Sequence, residues 1–268
     1  MGPLQSGISL GGNLFAAFFM RRLFLHFLEI WHMTDLSNQF VLITGATGAL
    51  GQACVETFAK ANAKLILSSR SAEKLEQLAE QYGEQVALTL ACDLSQMQNV
   101  QQLFKDIIQH TGRIDAVLNV AGGFSMGTPV HELSDSDFNA MFDMNFKAVM
   151  HTCKAAIPSM LKQGNGRIIN VSARAADQGK ANMAPYCISK SAVVTLSECL
   201  AAEHKMNNIT VNSILPGTID TPTNRADMPN ADFSDWVPCA DIAATMAFLC
   251  SDQAKSISGA SIPIYGRS

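Results

Sequence analysis

Short apolar runs alternate with longer amphipathic stretches from residue 40 to the end of the chain, and this alternation limits the fold more than any other feature. FVLIT (40–44) is a continuous apolar run that ends in a glycine-rich segment, the pattern of a strand buried on both faces. KLILSS (64–69), VALTLA (86–91), DAVLNVAGG (115–123), RIINVS (167–172), ITVNSIL (209–215) and SIPIYG (261–266) repeat it. The intervening spacing predicts helices over 49–61, 72–82, 95–110, 184–206 and 240–251, and one long helix over 134–163. In AEKLEQLAEQY the residues Leu75, Leu78 and Ala79 share one face, as an amphipathic helix requires. Strands alternating with helices imply right-handed crossovers and a doubly wound parallel α/β sheet. About seven strands are expected, with helices on both faces. No repeat, low-complexity tract or Gly/Ser linker divides the chain, so one domain is expected over residues 38–268.

Composition agrees with a buried sheet. The 268 residues are 48% hydrophobic and 16% charged, against roughly 25% charged in ordinary soluble domains. A net charge of −4 supplies no basic field for nucleic acid, which excludes that class of partner. The seven cysteines include no Cys-x-x-Cys pair, and the six histidines do not cluster with them. They read as reduced core thiols of a cytoplasmic protein without a metal site. Residues 14–31, LFAAFFMRRLFLHFLEIW, are interrupted by Arg21, Arg22, His26 and Glu29, which argues against a membrane span. The arginines follow the apolar residues, the reverse of a signal peptide. Residues 1–37 are therefore read as an N-terminal extension, either an amphipathic surface helix or, the reading favoured, a segment dispensable to the working fold.

Thr44-Gly45-Ala46-Thr47-Gly48-Ala49-Leu50-Gly51 joins the first strand to the first helix. Glycines in that context permit a tight turn and close approach of backbone to a pyrophosphate, while the helix N-terminus favours the phosphate charge. This is the dinucleotide loop of a Rossmann domain, and Gly45, Thr47, Gly48, Ala49, Leu50 and Gly51 are its candidate contacts. An acid after the second strand would hold a ribose 2′-hydroxyl. Here the chain reads Leu67-Ser68-Ser69-Arg70-Ser71, with no acid before Glu73. Ser69 and Arg70 suit a 2′-phosphate, so NADP(H) is favoured over NAD(H).

Tyr186 and Lys190 stand four residues apart in a predicted helix, which puts phenol and ammonium on one face. A phenol of pKa about 10 exchanges protons poorly at neutral pH, and a shift of about 2 units would take roughly 2.7 kcal/mol from a neighbouring cation. Ser172 ends the fifth strand 14 residues before the tyrosine.

With these motifs the chain resembles the short-chain dehydrogenase/reductases over residues 38–266. The middle glycine of the loop stands one place earlier than in the family's commonest pattern. The resemblance implies that Ser172 holds the substrate carbonyl or hydroxyl and Tyr186 exchanges the proton. Lys190 orients the nicotinamide ribose and lowers the tyrosine pKa, and Asn145 anchors a water in the proton relay. It adds as cofactor contacts Asp93 and Leu94 after the third strand, and Asn119, Ala121 and Gly122 after the fourth. Pro216, Gly217, Thr218, Ile219 and Thr221 fall beside the nicotinamide. The implied activity is NAD(P)H-dependent oxidoreduction of a small-molecule carbonyl or alcohol by a homotetramer or homodimer. Residues 220–236 resemble dihydropteridine reductases, which makes a pteridine reductase one alternative; a 3-oxoacyl-type reductase is another, and a non-catalytic dinucleotide sensor a third. The same stretch, with Phe233 and Trp236, is expected to form a mobile lid.

Overall fold

A computed structural model describes residues 34–267. Residues 1–33 of the expected extension lie outside the described residues. Leu36 is fully buried and its N–H donates to the Ala61 carbonyl, so packing starts two residues ahead of the expected boundary at 38.

In chain order the elements are β1 (Phe40–Thr44), α1 (Ala49–Lys60), β2 (Lys64–Ser69), α2 (Ala72–Tyr82), β3 (Val86–Ala91), α3 (Met97–Thr111) and β4 (Ala116–Asn119). Next come α4 (Asp135–Phe142), a π-turn (Asp143–Lys147), α5 (Ala148–Gln163), β5 (Gly166–Val171), α6 (Ala184–His204) and β6 (Ile209–Pro216). The chain closes with β7 (Ile219–Asp220), α7 (Pro222–Asp227), β8 (Val237–Pro238), α8 (Cys239–Cys250) and β9 (Ser261–Ile264). Seven strands form one sheet in the order β3-β2-β1-β4-β5-β6-β9, every neighbouring pair parallel. β7 and β8 make a separate two-stranded ribbon.

The unbroken apolar strands are explained by two cores, one on each face. Val41, Ile43, Leu65 and Leu67 pack with Cys54 and Phe58 of α1 and Met246 of α8. Their neighbours Leu42 and Ile66 point the other way, into Ile107 of α3, Met160 of α5 and Val193 of α6. Alternate residues thus serve opposite cores, which is the period-2 geometry of a strand. Among the described residues no helix is long and apolar enough to cross a membrane, and no His/Cys/Asp/Glu group is arranged to hold a metal.

Two elements differ from expectation. The helix expected over 134–163 is interrupted, α4 passing through the π-turn before α5 continues. Such turns insert a residue into the helical ladder and occur often at functional sites. The strand expected over 115–123 ends at Asn119. There the Thr44 hydroxyl takes the N–H groups of Val120 (3.0 Å) and Ala121 (3.2 Å), which draws the chain out of the ladder.

Candidate active site

The strand order reverses between β1 and β4, and in open α/β sheets the crevice beyond the carboxyl ends at such a reversal takes the ligand. Thr44 closes its floor. Besides accepting from the β4 loop, its hydroxyl donates to the Leu118 carbonyl at 3.1 Å. Gly45 turns with φ of 64°, and a side chain there would meet the Ala121 backbone at 2.9 Å. A side chain on Gly51 would run into the Gly45 carbonyl oxygen. The first turn of α1 carries no acidic residue, so nothing opposes an anion at its positive end. A shallow cradle bare of side chains, ending at an uncompensated helix N-terminus, fits a pyrophosphate. Thr47 and Gly48 form its rim, and Ala49 and Leu50 begin the helix.

The π-turn sets Asn145, fully buried, against the β4 loop. The Gly123 N–H donates to its Oδ1 and its Nδ2 donates to the Gly123 carbonyl, both at 3.0 Å. The Asn145 side chain is thus committed to holding residues 122–123. A side chain on Gly122 would meet Asn145 Oδ1 at 2.8 Å and Lys190 Nζ at 3.3 Å, so this glycine admits both groups to one spot. Lys190 Nζ donates to the Val171 carbonyl at 2.9 Å, and Ser172 Oγ donates to the Lys190 carbonyl at 2.8 Å. These two bonds tie the end of β5 to the second turn of α6, with Tyr186 one turn earlier. Ser189 Oγ, donating to the Tyr186 carbonyl at 2.8 Å, lies 3.4 Å from Asn145 Nδ2. Ser172, Tyr186, Lys190 and Asn145 therefore come together, beside the glycine cradle.

Burial governs the charge states here. It pushes the Tyr186 phenol up to about 12, with a smaller contribution from Cys187. It lowers the Lys190 ammonium from 10.5 to about 8. The ammonium is 5.9 Å from the phenol ring centroid and spends a proton on Val171. In place of the lowering by lysine that the resemblance implies, burial sets the direction of the Tyr186 shift in this structure.

The remaining predicted contacts fall at the strand ends in different ways. Arg70 is exposed after β2, with no ion-pair partner among the described residues, while the Ser69 hydroxyl donates to the Ser71 carbonyl. Asp93, exposed, accepts from the N–H and hydroxyl of Ser95 at 3.0 and 2.8 Å. Leu94 is buried, its carbonyl 3.1 Å from His151 Nδ1. The Asn119 side chain points inward, donating to Asn170 Oδ1 at 2.8 Å in a chain that continues through Ser197 to Ser213. Gly217, after Pro216, donates to Ile264 at 2.9 Å, and the Thr218 carbonyl accepts from Val237 at 2.8 Å. Ile219 belongs to the β7–β8 ribbon, and Thr221 caps α7 through its hydroxyl.

Residues 220–236 are pinned rather than loose. Their two ends are paired by the ribbon, Trp236 is buried, and its ring lies 4.8 Å from that of Phe233. Arg225 covers Phe233 at 4.7 Å while binding both carboxylate oxygens of Asp220. The stretch expected to form a mobile lid thus has a paired base and a buried Trp236, and Pro222 opens its one short helix, α7. Thr44, Phe124 and Ser189 were not candidates in the sequence reading. Thr44 opens the glycine-rich loop in sequence, and its hydroxyl directly before the turn glycine is a usable signal. Phe124 is 57% exposed yet packs edge-on against the Tyr186 ring, centroids 4.9 Å apart. Beside them a cleft of about 310 Å³ opens between the β4 loop, α4 and the start of α6.

The sequence pattern of the short chain dehydrogenases matches residues 39–232. An uncharacterized oxidoreductase of Staphylococcus aureus (strain MRSA252) is 29% identical over 212 residues, spanning 76% of this chain and 91% of that protein. An uncharacterized oxidoreductase of Staphylococcus epidermidis is 28% identical over 190 residues, spanning 71% and 82%. The crystal structure of gox2181 superposes with a TM-score of 0.82 at 23% identity, over 88% of this chain and 97% of that one, and speaks for the fold alone.

Proposed function

The chain belongs to the short chain dehydrogenase family, and from that premise we propose that it is an NADP(H)-dependent oxidoreductase of small carbonyl compounds and alcohols, with Tyr186 exchanging the proton. The observation that carries this reading is the pair of bonds from Ser172 to the Lys190 carbonyl and from Lys190 to the Val171 carbonyl. They hold serine, tyrosine and lysine as one unit at the mouth of the glycine cradle.

When bound, the nicotinamide supplies the hydride. The protein's own part is positioning and proton transfer. The Ser172 hydroxyl can swing from the Lys190 carbonyl to hydrogen-bond a substrate oxygen. Tyr186 Oη then delivers its proton to that oxygen as charge develops on it. A phenol raised by burial stays protonated at neutral pH, the state a proton donor needs. Lys190 Nζ has N–H groups beyond the one spent on Val171, available to a ribose hydroxyl. Arg70 offers a guanidinium to a 2′-phosphate, which supports NADP(H).

The test is consumption of NADPH with a panel of ketones, with a quinonoid dihydropterin in the same panel to try the pteridine alternative. Tyr186→Phe should lower kcat about 10²–10⁴-fold with the melting temperature nearly unchanged, since a phenyl ring keeps the contact with Phe124. A variant within about threefold of wild type would assign the proton to another group.

A further inference from the structure

We propose that the substrate's apolar body lies in the cleft between the β4 loop and α4, so that Phe124 and Met126 select carbonyl compounds bearing an alkyl chain or ring over short or anionic ones. The inference rests on the oxidoreductase reading above and adds the substrate class.

Four observations carry it. Phe124 and Met126, two residues apart on one loop, are 57% and 58% exposed, and exposed apolar groups gathered at one place can mark a binding surface. Phe124 leans on the Tyr186 ring, so the patch begins at the proton donor itself. The patch continues into the cleft, whose lining includes Met126, Met141, Met144 and Pro185; its volume, about 310 Å³, lies at the lower end for small-molecule sites. The walls are also those of the reacting site. Met141 Sδ touches Asn145 Nδ2 at 2.9 Å, and Pro185 precedes Tyr186. Across the cleft the Gly127 N–H donates to the Asn182 carbonyl at 2.9 Å, which moors the loop to the chain just before α6.

The lining chemistry narrows the class further. Methionine side chains are flexible and polarisable and adapt to irregular apolar shapes, which suits a series of related chains rather than one rigid substrate. Asp137 of α4 also lines the cleft, and its carboxylate opposes a substrate whose far end is anionic. Water leaves Phe124 and Met126 only when something apolar covers them, so affinity should grow with the area buried.

The experiment measures kcat/KM for methyl ketones of increasing chain length, and for one chain ending in a carboxylate, with wild type, Met126→Asp and Met206→Asp. Met206 is 87% exposed on the turn after α6 and serves as the control. In wild type and Met206→Asp each added methylene should raise kcat/KM about two- to fourfold, with the carboxylate erasing that gain; Met126→Asp should flatten the series. Binding of tertiary alcohols of the same lengths, which have no hydrogen to lose from the carbinol carbon, gives a readout independent of turnover: melting temperature should rise with chain length in wild type and not in Met126→Asp. A flat ketone series with turnover that still needs Tyr186 would overturn the cleft and leave the oxidoreductase reading standing. No turnover of any ketone, together with a length-dependent alcohol response, would overturn that reading while keeping the cleft as an apolar ligand site. Should Met126→Asp change the sedimentation of the protein and leave both series intact, the patch is a contact between copies of the chain and the proposal fails.

Discussion

The inner and outer sides of the site are held in opposite ways. Residues 44–51 and 119–123 are fixed by hydrogen bonds from Thr44 and Asn145 and by glycines that admit no side chain. Residues 124–128 are moored by the Gly127–Asn182 backbone bond and present Phe124 and Met126 to water. The side that handles groups common to every turnover is over-determined. The side that meets the variable part of a substrate is left adaptable, as a surface must be if it is to accept more than one shape. The 220–236 excursion stands apart from both, its base closed by the β7–β8 ribbon and its Trp236 buried.

That placement is the sharpest point at which to break the comparison. Trp236→Ala empties a buried ring site and should cost about 3–5 kcal/mol of stability. Phe124→Ala should stay within about 0.5–1 kcal/mol while changing the ranking of ketones. Urea unfolding of both variants decides it, and equal losses would erase the distinction between a fixed and an adaptable side.

A second prediction concerns the cost of the inner side. A lysine whose pKa falls from 10.5 to about 8 makes the native state pay about 3 kcal/mol for its charge at neutral pH, at 1.36 kcal/mol per unit. Lys190→Met removes that burden and leaves the Val171 carbonyl without its donor, a net stabilisation of about 1–2 kcal/mol at pH 7 with activity lost. The sign with pH follows from linkage: between pH 8 and 10.5 the unfolded chain binds this proton and the native protein does not, so wild-type stability rises over that window. The advantage of Lys190→Met should shrink over the same window. Denaturant melts at pH 7 and 9.5 check it; a constant difference would mean that the ammonium is not desolvated.

The smallest expected effect is at the rim. Arg70→Asp should lower the NADPH to NADH ratio of kcat/KM about tenfold or more, about 1.4 kcal/mol, with little change in melting temperature, because the side chain is exposed. An unchanged ratio would move 2′-phosphate recognition elsewhere.

The inner side was legible in the sequence and the outer side was not, for a physical reason. Glycine positions, Ser172 and the Tyr186–Lys190 spacing report local backbone needs and helical geometry, so order along the chain carries them. The sheet was legible for the same reason, since FVLIT and its repeats each state their own burial. The π-turn was not: 134–163 has one continuous helical periodicity, and the extra residue at 143–147 answers to the β4 loop that Asn145 holds. Neither was the upward shift of Tyr186, which depends on the burial of the phenol and on a lysine turned toward Val171. The β7–β8 ribbon was not legible either, because it is formed by pairing across the 220–236 stretch, which no local pattern announces.

The Thr44–Leu118 bond joins residues 74 apart, and it sits on the seam where β4 lies against β1. Within the sheet β1, β2 and β3 form one group and β4, β5 and β6 another; the β1–β4 pairing joins them, and α8 packs on α1 and the first group as well. The β1–β4 pairing, from Val41 to Ala116, spans more chain than the one from Ala116 to Arg167 beside it, at a modest extra cost in loop-closure entropy. The crevice beyond the carboxyl ends of β1 and β4 is shaped by both halves, so a ligand lying across it would meet both at once. A ligand that binds only the closed crevice would stabilise the sheet across that seam in proportion to its concentration.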